Sequence, residues 1–447
     1  MEGKAVVHHE LLSATASPVV PSWFFLAFGT SALILGFLFC KGSISRVANL
    51  AILSVTVIPL LPGFTEQRQP QVMALILVTA ALLTSAYATA KTRGIRLDLA
   101  ITWFAVLATL TLLTVGVIET DFFRMLVGLL TATIMALAIV VGNAASRREL
   151  ASIGKVLTSV ACLAAIIAIM EYFNKAPLYV FTEFQEPGNG FSVFRASAFL
   201  GHPLVLCIFL TGVSILNLSG PLQHSAHRKI WKLVCIVVPL AGASATVSRS
   251  LWVFVAVGLG ATMFARSQGK KSKTAAFLVA TVASIAGLAL SLGGGFGQRF
   301  GELSAQDQRI RLGGFDTVMQ ITTGHEVFLG AGPKAVAKAF SNNVEGVIYG
   351  TVDNQFFTMF AEYGLIGMVL IVSLFVLLVR AVRAEHLDSL RISFVLGAIP
   401  SAAGFFLMEP VAWPLLCIIF GIGVGIASRF VRTAASSPDR ISLAVQS

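Results

Sequence analysis

The sequence predicts an all-α polytopic membrane protein with about 12–13 transmembrane helices and a large outward-facing loop that contains short helices. Its 447 residues are 56% hydrophobic and 12% charged, with a mean hydropathy of +0.85. Soluble domains carry about 25% charged residues. The apolar runs are about 20 residues long, as spanning helices require, whereas barrel strands would be about 10 residues long. Composition and run length together indicate a helical membrane protein.

Thirteen apolar segments justify the predicted number of helices. They lie at 22–40, 47–62, 72–90, 98–118, 123–142, 152–172, 198–218, 230–247, 250–266, 274–294, 356–381, 392–408 and 411–429. Two pairs are joined so tightly that each could be one element, namely 230–247 with 250–266 and 392–408 with 411–429. The five cysteines lie in or at the ends of these segments, and their spacing suggests neither a metal site nor a disulfide.

Basic residues sort to one set of alternate connectors. These connectors and the C-terminal tail hold 21 of the 32 Lys and Arg residues but only five of the 21 Asp and Glu residues. The positive-inside rule makes this face cytoplasmic, with the C-terminus inside and the N-terminus outside. The net charge of +11 is therefore a topology signal, and we expect no nucleic-acid partner.

The spans and connectors divide the chain into five regions. We expect a polar N-terminal arm over 1–21, a transmembrane bundle of about ten spans over 22–295, a large periplasmic loop over 296–355, C-terminal spans over 356–430 and a cytoplasmic tail over 431–447. Within the large loop, the segment RIRLGGFDTVMQI spaces its apolar residues like an amphipathic helix resting on the membrane surface.

Polar side chains collect on the face predicted to be extracytoplasmic. A first long connector, about 173–197, leads into FRASAFLGHPL, which holds Arg195 and His202, and the junction ATVSRSLW holds Ser248 and Arg249. Further candidates in and after the large loop are Arg299, Arg309, Arg311, Asp316, His325, Asp353, Asn354 and Glu409. An ionisable group at a membrane is a functional hypothesis by default, and the guanidinium fork fits phosphate oxygens. Arginines beside the extracytoplasmic surface of the membrane indicate a site for a polyprenyl-diphosphate lipid.

The arginines also have structural interpretations. Arg195 and Arg249 could snorkel to the interface or bind ordinary lipid headgroups. Arg299, Arg309 and Arg311 could form the solvated side of a surface helix.

The other candidates have structural alternatives as well. His202 before a proline fits a helix start, and His325 fits loop structure. The glycine-rich LGAGPK at 329–334 is most simply a turn, although exposed amides there could meet an anion. Asp353 precedes an apolar run and fits a helix N-cap as well as a catalytic base, and the two roles are not exclusive.

The ordered set of these pieces resembles the O-antigen ligase and Wzy-type polysaccharide polymerase superfamily, which are membrane glycosyltransferases of the C type (GT-C-like). The pieces are FRASAFLGHP, TVSR, a long loop with arginines and LGAGP, and DNQFFTMFAEYGLIG, and the resemblance covers roughly Ser152–Arg391. It implies that a glycan moves, with inversion, from an undecaprenyl-diphosphate donor to an acceptor sugar hydroxyl. No metal, nucleotide sugar or other cofactor is implied.

The resemblance also implies roles for the arginines. Arg195 and Arg249 would clamp the diphosphate, and Arg309 or Arg311 would contribute from the large loop. The remaining pocket candidates are His202, Ser248, Arg299, Asp316, His325 and Asn354.

The acceptor side departs from the pattern of the ligases. They commonly have His-Asn where this chain has Asp353-Asn354, so a carboxylate stands at the position proposed to activate the acceptor hydroxyl. We therefore expect Asp353 to be the general base, with Glu409 and Asp316 in reserve. This departure favours a repeat-unit polymerase of O-antigen or exopolysaccharide over a ligase to lipid A core.

The expected partners follow from this activity. They are an undecaprenyl-diphosphate-linked oligosaccharide, a glycan acceptor, membrane lipids, and a chain-length regulator or flippase. The expected location is the bacterial inner membrane, with the active site on the periplasmic face. A transporter or flippase is an alternative, but transporters place ionisable residues at mid-membrane depth, and these span interiors are almost free of charge. A structural scaffold would tolerate both Arg195→Ala and Arg249→Ala.

Overall fold

The computed structural model describes residues 42–57, 68–119, 121–178, 194–220, 226–248, 250–266, 316–343, 354–383, 387–407 and 413–435, and these residues form no strand. The helices are α1 Ile44–Val57, α2 Arg68–Thr92, α3 Asp98–Thr111, α4 Phe122–Ala144, α5 Arg147–Asn174, α6 Pro203–Ser219, α7 Ala226–Ala245, α8 Ser250–Arg266, α9 Glu326–Leu329, α10 Ala335–Asn343, α11 Gln355–Arg383, α12 Ser389–Gly404 and α13 Pro414–Ala435. A π-helix, Leu112–Glu119, continues α3, and a 3₁₀ turn, Ala198–Leu200, precedes α6.

Eleven of the thirteen predicted segments coincide with described helices, and the segments 22–40 and 274–294 lie outside the described residues. Both tightly joined pairs are separate helices, α7 with α8 and α12 with α13. Five helical stretches are long and apolar enough to cross a membrane, and α1, α6, α8 and α12 are shorter apolar helices. The prediction of an all-α multi-pass membrane protein is confirmed, and the total of 12–13 spans stays a prediction.

Several helices begin at caps that the sequence encodes. Ser146 and Glu149 form a reciprocal capping box at the start of α5. Asp121 caps α4, and Asp388 caps α12. Each of these side chains satisfies backbone N–H groups that have no partner within the first helical turn.

Small residues let the central helices approach closely, as is usual in membrane bundles. A methyl group at Gly142 of α4 would overlap the backbone of Ile422 in α13, and one at Gly425 would overlap the carbonyl of Ile139. Gly212 of α6 and Gly397 of α12 meet in the same way. These two helix pairs form the centre of the bundle.

The connectors predicted to be cytoplasmic meet at one end of the bundle. The guanidinium of Arg93 donates to both carboxylate oxygens of Glu149 over 2.9 and 3.1 Å, and to the carbonyl of Gly42 over 3.2 Å. The N–H of Ile44 donates to the same carboxylate over 2.9 Å. The connectors before α1, between α2 and α3, and between α4 and α5 therefore share one face, as the sorting of basic residues predicts.

The described part of the large loop corrects one expectation. Residues 316–321 are helical as predicted, but Val318 is buried in a cluster with Val336 of α10 and Ala361 of α11. Ile321 packs against the same cluster. The apolar face of this stretch is therefore covered by protein rather than by the membrane surface, because α10 and α11 supply a complementary apolar surface.

Candidate functional site

Arg195 lies against the junction between α7 and α8. Its Nε donates to the carbonyl of Thr246 over 3.2 Å, and the N–H of Ala196 donates to the carbonyl of Ala245 over 3.3 Å. Ser248, another predicted site residue, is buried in this junction. The structure therefore joins two sequence motifs, FRASAFLGHP and TVSR, that lie about fifty residues apart in the chain.

The backbone of this region is strained. Among the described residues, four non-glycine residues have positive φ, namely Lys175, Ala198, Val247 and Lys334. Lys175 and Lys334 lie in connectors predicted to be extracytoplasmic, and Ala198 and Val247 lie at the ends of predicted segments beside such connectors. A β-branched residue such as Val247, with φ of 49°, is an outlier, and strain of this kind clusters at functional sites.

His202 caps α6 from the same end of the bundle. Its Nδ1 accepts the N–H of Leu204 over 3.2 Å, and its ring lies 5.9 Å from that of Trp413 between centroids. Burial lowers the pKa of His202 to about 4, and the positive charge of Arg195 acts in the same direction. The imidazole is therefore neutral at physiological pH, which agrees with the helix-start interpretation.

This shifted pKa predicts a loss of stability in acid. Because the folded state resists protonating His202, the unfolded state binds the proton more readily as pH falls from about 6.5 to about 4. We expect the thermal midpoint of the purified protein in detergent to fall over this window, and His202→Asn to reduce that fall. Asparagine retains a capping oxygen and does not titrate. Equal falls in both proteins would contradict this assignment.

The turn of residues 329–334 is clamped rather than open. The N–H groups of Ala331 and Gly332 donate to the carbonyls of Ala361 and Glu362 over 2.8 and 3.0 Å, and that of Lys334 donates to the Glu362 carboxylate over 2.6 Å. The N–H of residue 330 is also bonded, and residue 333 is a proline. The turn therefore has no open amide N–H group that could bind an anion. This agrees with the interpretation of residues 329–334 as a turn.

A charged residue that the sequence analysis did not single out holds the other side of this turn. Arg124 of α4 is 4% exposed, and its guanidinium donates to the carbonyls of Ala331, Gly332 and Pro333. Its position in a segment predicted to span the membrane was the only signal available in the sequence.

A kink in α11 receives the turn. Gly364 has φ of 63° and ψ of −161°, and a Cβ there would overlap the backbone of Phe328 and Leu329. The kink leaves the Ala361 and Glu362 carbonyls free of the regular helical pattern, so that they can accept from the turn. The Leu-Gly-x-Gly and Gly-x-x-Gly motifs are thus two sides of one contact.

The side chain of Asn354 caps the start of α11. Its Oδ1 accepts the N–H groups of Phe356 and Phe357 over 2.9 and 3.4 Å. The N–H of Gln355, the first residue of the helix, donates to the carbonyl of Phe405 at the end of α12 over 2.9 Å. Asn354 therefore caps this helix, and the cap role predicted for Asp353 lies outside the described residues.

Two predicted residues lie away from these contacts. Asp316 is exposed at the start of the described helical stretch of the large loop. The side chain of His325 is 64% exposed, and its Nε2 lies 3.6 Å from a carboxylate oxygen of Glu326. The other predicted site residues lie outside the described residues, namely Arg249, Arg299, Arg309, Arg311, Asp353 and Glu409. Within the described ranges, no group of three or more His, Cys, Asp and Glu side chains could hold a metal ion.

Comparison with known protein families agrees with the position of these motifs. The O-antigen ligase family, Wzy_C, matches residues 233–372, about a third of the chain. Residues 233–372 are an O-antigen ligase family domain. No curated protein matches the chain.

The O-antigen ligase family domain contains the junction before Arg249, the clamped turn and the kink of α11. The chain is thus a multi-pass membrane protein that contains an O-antigen ligase family domain. Arg195, His202 and Arg124 lie before the domain, and Arg195 and Arg124 are joined to it by the hydrogen bonds described above.

Proposed function

We propose that this protein is an inverting glycosyltransferase that moves a glycan from an undecaprenyl-diphosphate donor to an acceptor sugar hydroxyl on the periplasmic face of the inner membrane. The product is a lengthened polysaccharide of O-antigen or exopolysaccharide repeat units. The hydrogen bond from Arg195 to Thr246 carries this proposal. Arg195 is one predicted diphosphate ligand, and Thr246 lies three residues before the other, Arg249, in the sequence of the family domain.

The leaving group sets the first chemical requirement. When the bond between C1 of the donor sugar and the phosphate oxygen breaks, negative charge grows on the diphosphate. The guanidinium groups of Arg195 and Arg249, with Arg309 or Arg311, stabilise this charge. Removing one such donor typically slows a reaction by about 10²–10³-fold.

The acceptor sets the second requirement. Its hydroxyl oxygen forms the new bond to C1 from the side opposite the leaving phosphate, and its proton goes to a carboxylate. Asp353 is the proposed base, and Glu409 is the alternative candidate for this role. Capping by Asn354 is compatible with this role, because the amide oxygen of Asn354 already accepts N–H groups of the first helical turn. Loss of a general base typically slows a reaction by about 10²–10⁴-fold.

The test uses the donor that the cell itself supplies. Lipid-linked oligosaccharide is extracted from a strain that lacks this gene and is given to the purified, reconstituted protein. We expect longer lipid-linked chains, and a loss of about 10²–10³-fold with Arg195→Ala. The matched control is Arg383→Ala, which removes an exposed arginine from the C-terminal end of α11. Equal activity of Arg195→Ala and wild type would contradict the proposal.

Transfer to lipid A core is the second candidate, because the matching family is described as O-antigen ligase. The deletion strain separates the two activities. Single repeat units on the acceptor indicate that a polymerase has been lost, whereas free lipid-linked polymer indicates that a ligase has been lost. Wild-type surface polysaccharide in that strain would exclude both.

A further inference from the structure

The last turn of α5 contains a carboxylate that the proposed reaction does not use. Glu171 is 0% exposed in a helix that is otherwise apolar around it. One carboxylate oxygen accepts the N–H of Leu178 over 3.1 Å. The other accepts the N–H groups of Ser197 and Ala198 over 3.1 and 2.8 Å. A buried ionisable group in a spanning helix is costly, so a purely packing role would be met better by an apolar residue.

These three hydrogen bonds hold both ends of the first long outer connector. Leu178 lies where the chain leaves α5, and Ser197 and Ala198 lie where it returns to α6. The shortest of the three bonds is made by Ala198, whose φ of 45° is unfavourable for a residue with a Cβ. The carboxylate therefore helps to maintain a conformation that the local sequence alone disfavours.

Arg195 lies two residues before the first of the two donors. On its other side, its Nε is bonded to Thr246, and the neighbouring Ala196 is bonded to Ala245. The segment that carries the guanidinium is thus held from two directions, by the family domain and by Glu171. Loss of either restraint leaves the direction of the side chain less defined, and a phosphate ligand requires a preorganised guanidinium.

We propose that Glu171 is a positioning residue that orients Arg195 for recognition of the donor diphosphate. This inference rests on the proposed function, which supplies the diphosphate. Glu171 touches neither the donor nor the acceptor in this proposal and acts through the backbone of residues 197 and 198. Its effect should therefore be seen in donor affinity, and it should disappear when Arg195 is absent.

The test measures binding of undecaprenyl diphosphate to the full-length protein in detergent, together with kcat/KM for the lipid-linked donor. Glu171→Gln replaces one accepting oxygen with an amino group and breaks at least one of the three bonds. We expect a rise of about tenfold in Kd, and a fall of at least about tenfold in kcat/KM, because the same guanidinium also stabilises the leaving diphosphate. In the Arg195→Ala background, Glu171→Gln should cause no further rise.

Glu149→Gln is the matched control, because that carboxylate also accepts two backbone N–H groups but lies at the other end of the same helix. We expect lower thermal stability and an unchanged Kd. If Glu149→Gln weakened binding equally, or if the effects of Glu171→Gln and Arg195→Ala multiplied, the positioning role would be refuted. If Glu171→Gln cannot be purified as folded protein, Glu171→Asp is the second variant to be tested. It retains the charge and shortens the side chain, and it should raise the Kd in the same way.

The outcomes separate this inference from the proposed function. A wild-type protein that transfers no glycan, but whose binding of undecaprenyl diphosphate is weakened by Glu171→Gln, contradicts the proposed function alone. Binding that does not depend on Glu171, together with normal glycan transfer, contradicts the positioning role alone. Absence of any binding contradicts both.

Discussion

Arg124→Met is expected to detach the turn of residues 329–334 from α4 and to abolish stable folding of this end of the bundle. The guanidinium donates to three consecutive carbonyls from a buried position. Methionine offers no donor, and each buried carbonyl left without a partner costs about 1–3 kcal/mol. The expected loss is at least about 3 kcal/mol. It would appear as a large fall in the thermal midpoint of the purified protein.

Two further variants make this expectation specific. Arg124→Lys retains the charge but not the planar fork, so it should fall between wild type and Arg124→Met. Arg383→Met removes an exposed arginine from α11 and should leave the midpoint nearly unchanged. Equal midpoints for Arg124→Met and Arg383→Met would show that the carbonyl contacts contribute little.

Gly364→Ala is expected to have an effect of similar size from the opposite side of the same turn. With φ of 63° and ψ of −161°, this residue occupies a region that is nearly restricted to glycine and costs other residues about 1–3 kcal/mol. The added Cβ would also overlap the Phe328 carbonyl, which is backbone and cannot rotate away. We expect little monodisperse protein after purification, as measured by size-exclusion chromatography in detergent.

Gly154→Ala is the control for this substitution. Gly154 lies within α5, and a Cβ there would make ordinary contacts, the nearest at 3.6 Å from the ring of Phe394. Alanine is favoured over glycine in a helix interior, so this variant should purify like wild type or better. Normal yield and elution of Gly364→Ala would mean that the kink is not required.

The positions of the helices could be predicted because the membrane allows few alternatives. A span needs about 20 apolar residues, and its backbone must satisfy its own hydrogen bonds. Apart from α9 and α10, which lie in the large loop, the described helices therefore fall where the apolar segments lie, and connectors sorted by basic charge meet through Arg93 and Glu149. Caps such as Ser146 and Asp388 were encoded locally as well.

The functions of the buried charges could not be predicted, because their partners are distant in the chain. Arg124 bonds to residues 207–209 positions later, and Glu171 bonds to residues 7, 26 and 27 positions later. In the sequence, each is merely an ionisable residue inside an apolar segment. Only the contacts show that one clamps a turn and that the other holds two ends of a connector.

Neighbouring polar residues posed the same difficulty at the start of α11. Asp353 and Asn354 are both favoured caps, and pattern alone does not choose between them. The choice depends on where the first helical turn begins. The bond from Gln355 to Phe405 joins that turn to α12, and the side chain of Asn354 accepts the N–H groups of the two residues that follow Gln355.

Hydropathy, helix caps and the placement of basic residues thus specified the class of the protein, the order of its helices and the motifs of the O-antigen ligase family, because each depends on residues near one another in the chain and on the surrounding bilayer. Tertiary packing alone decided which polar groups satisfy backbone atoms of distant segments and which motifs meet. Arg195 beside Thr246, and the turn of residues 329–334 against Gly364, are such contacts. Their energies depend on distances between helices that no local pattern encodes.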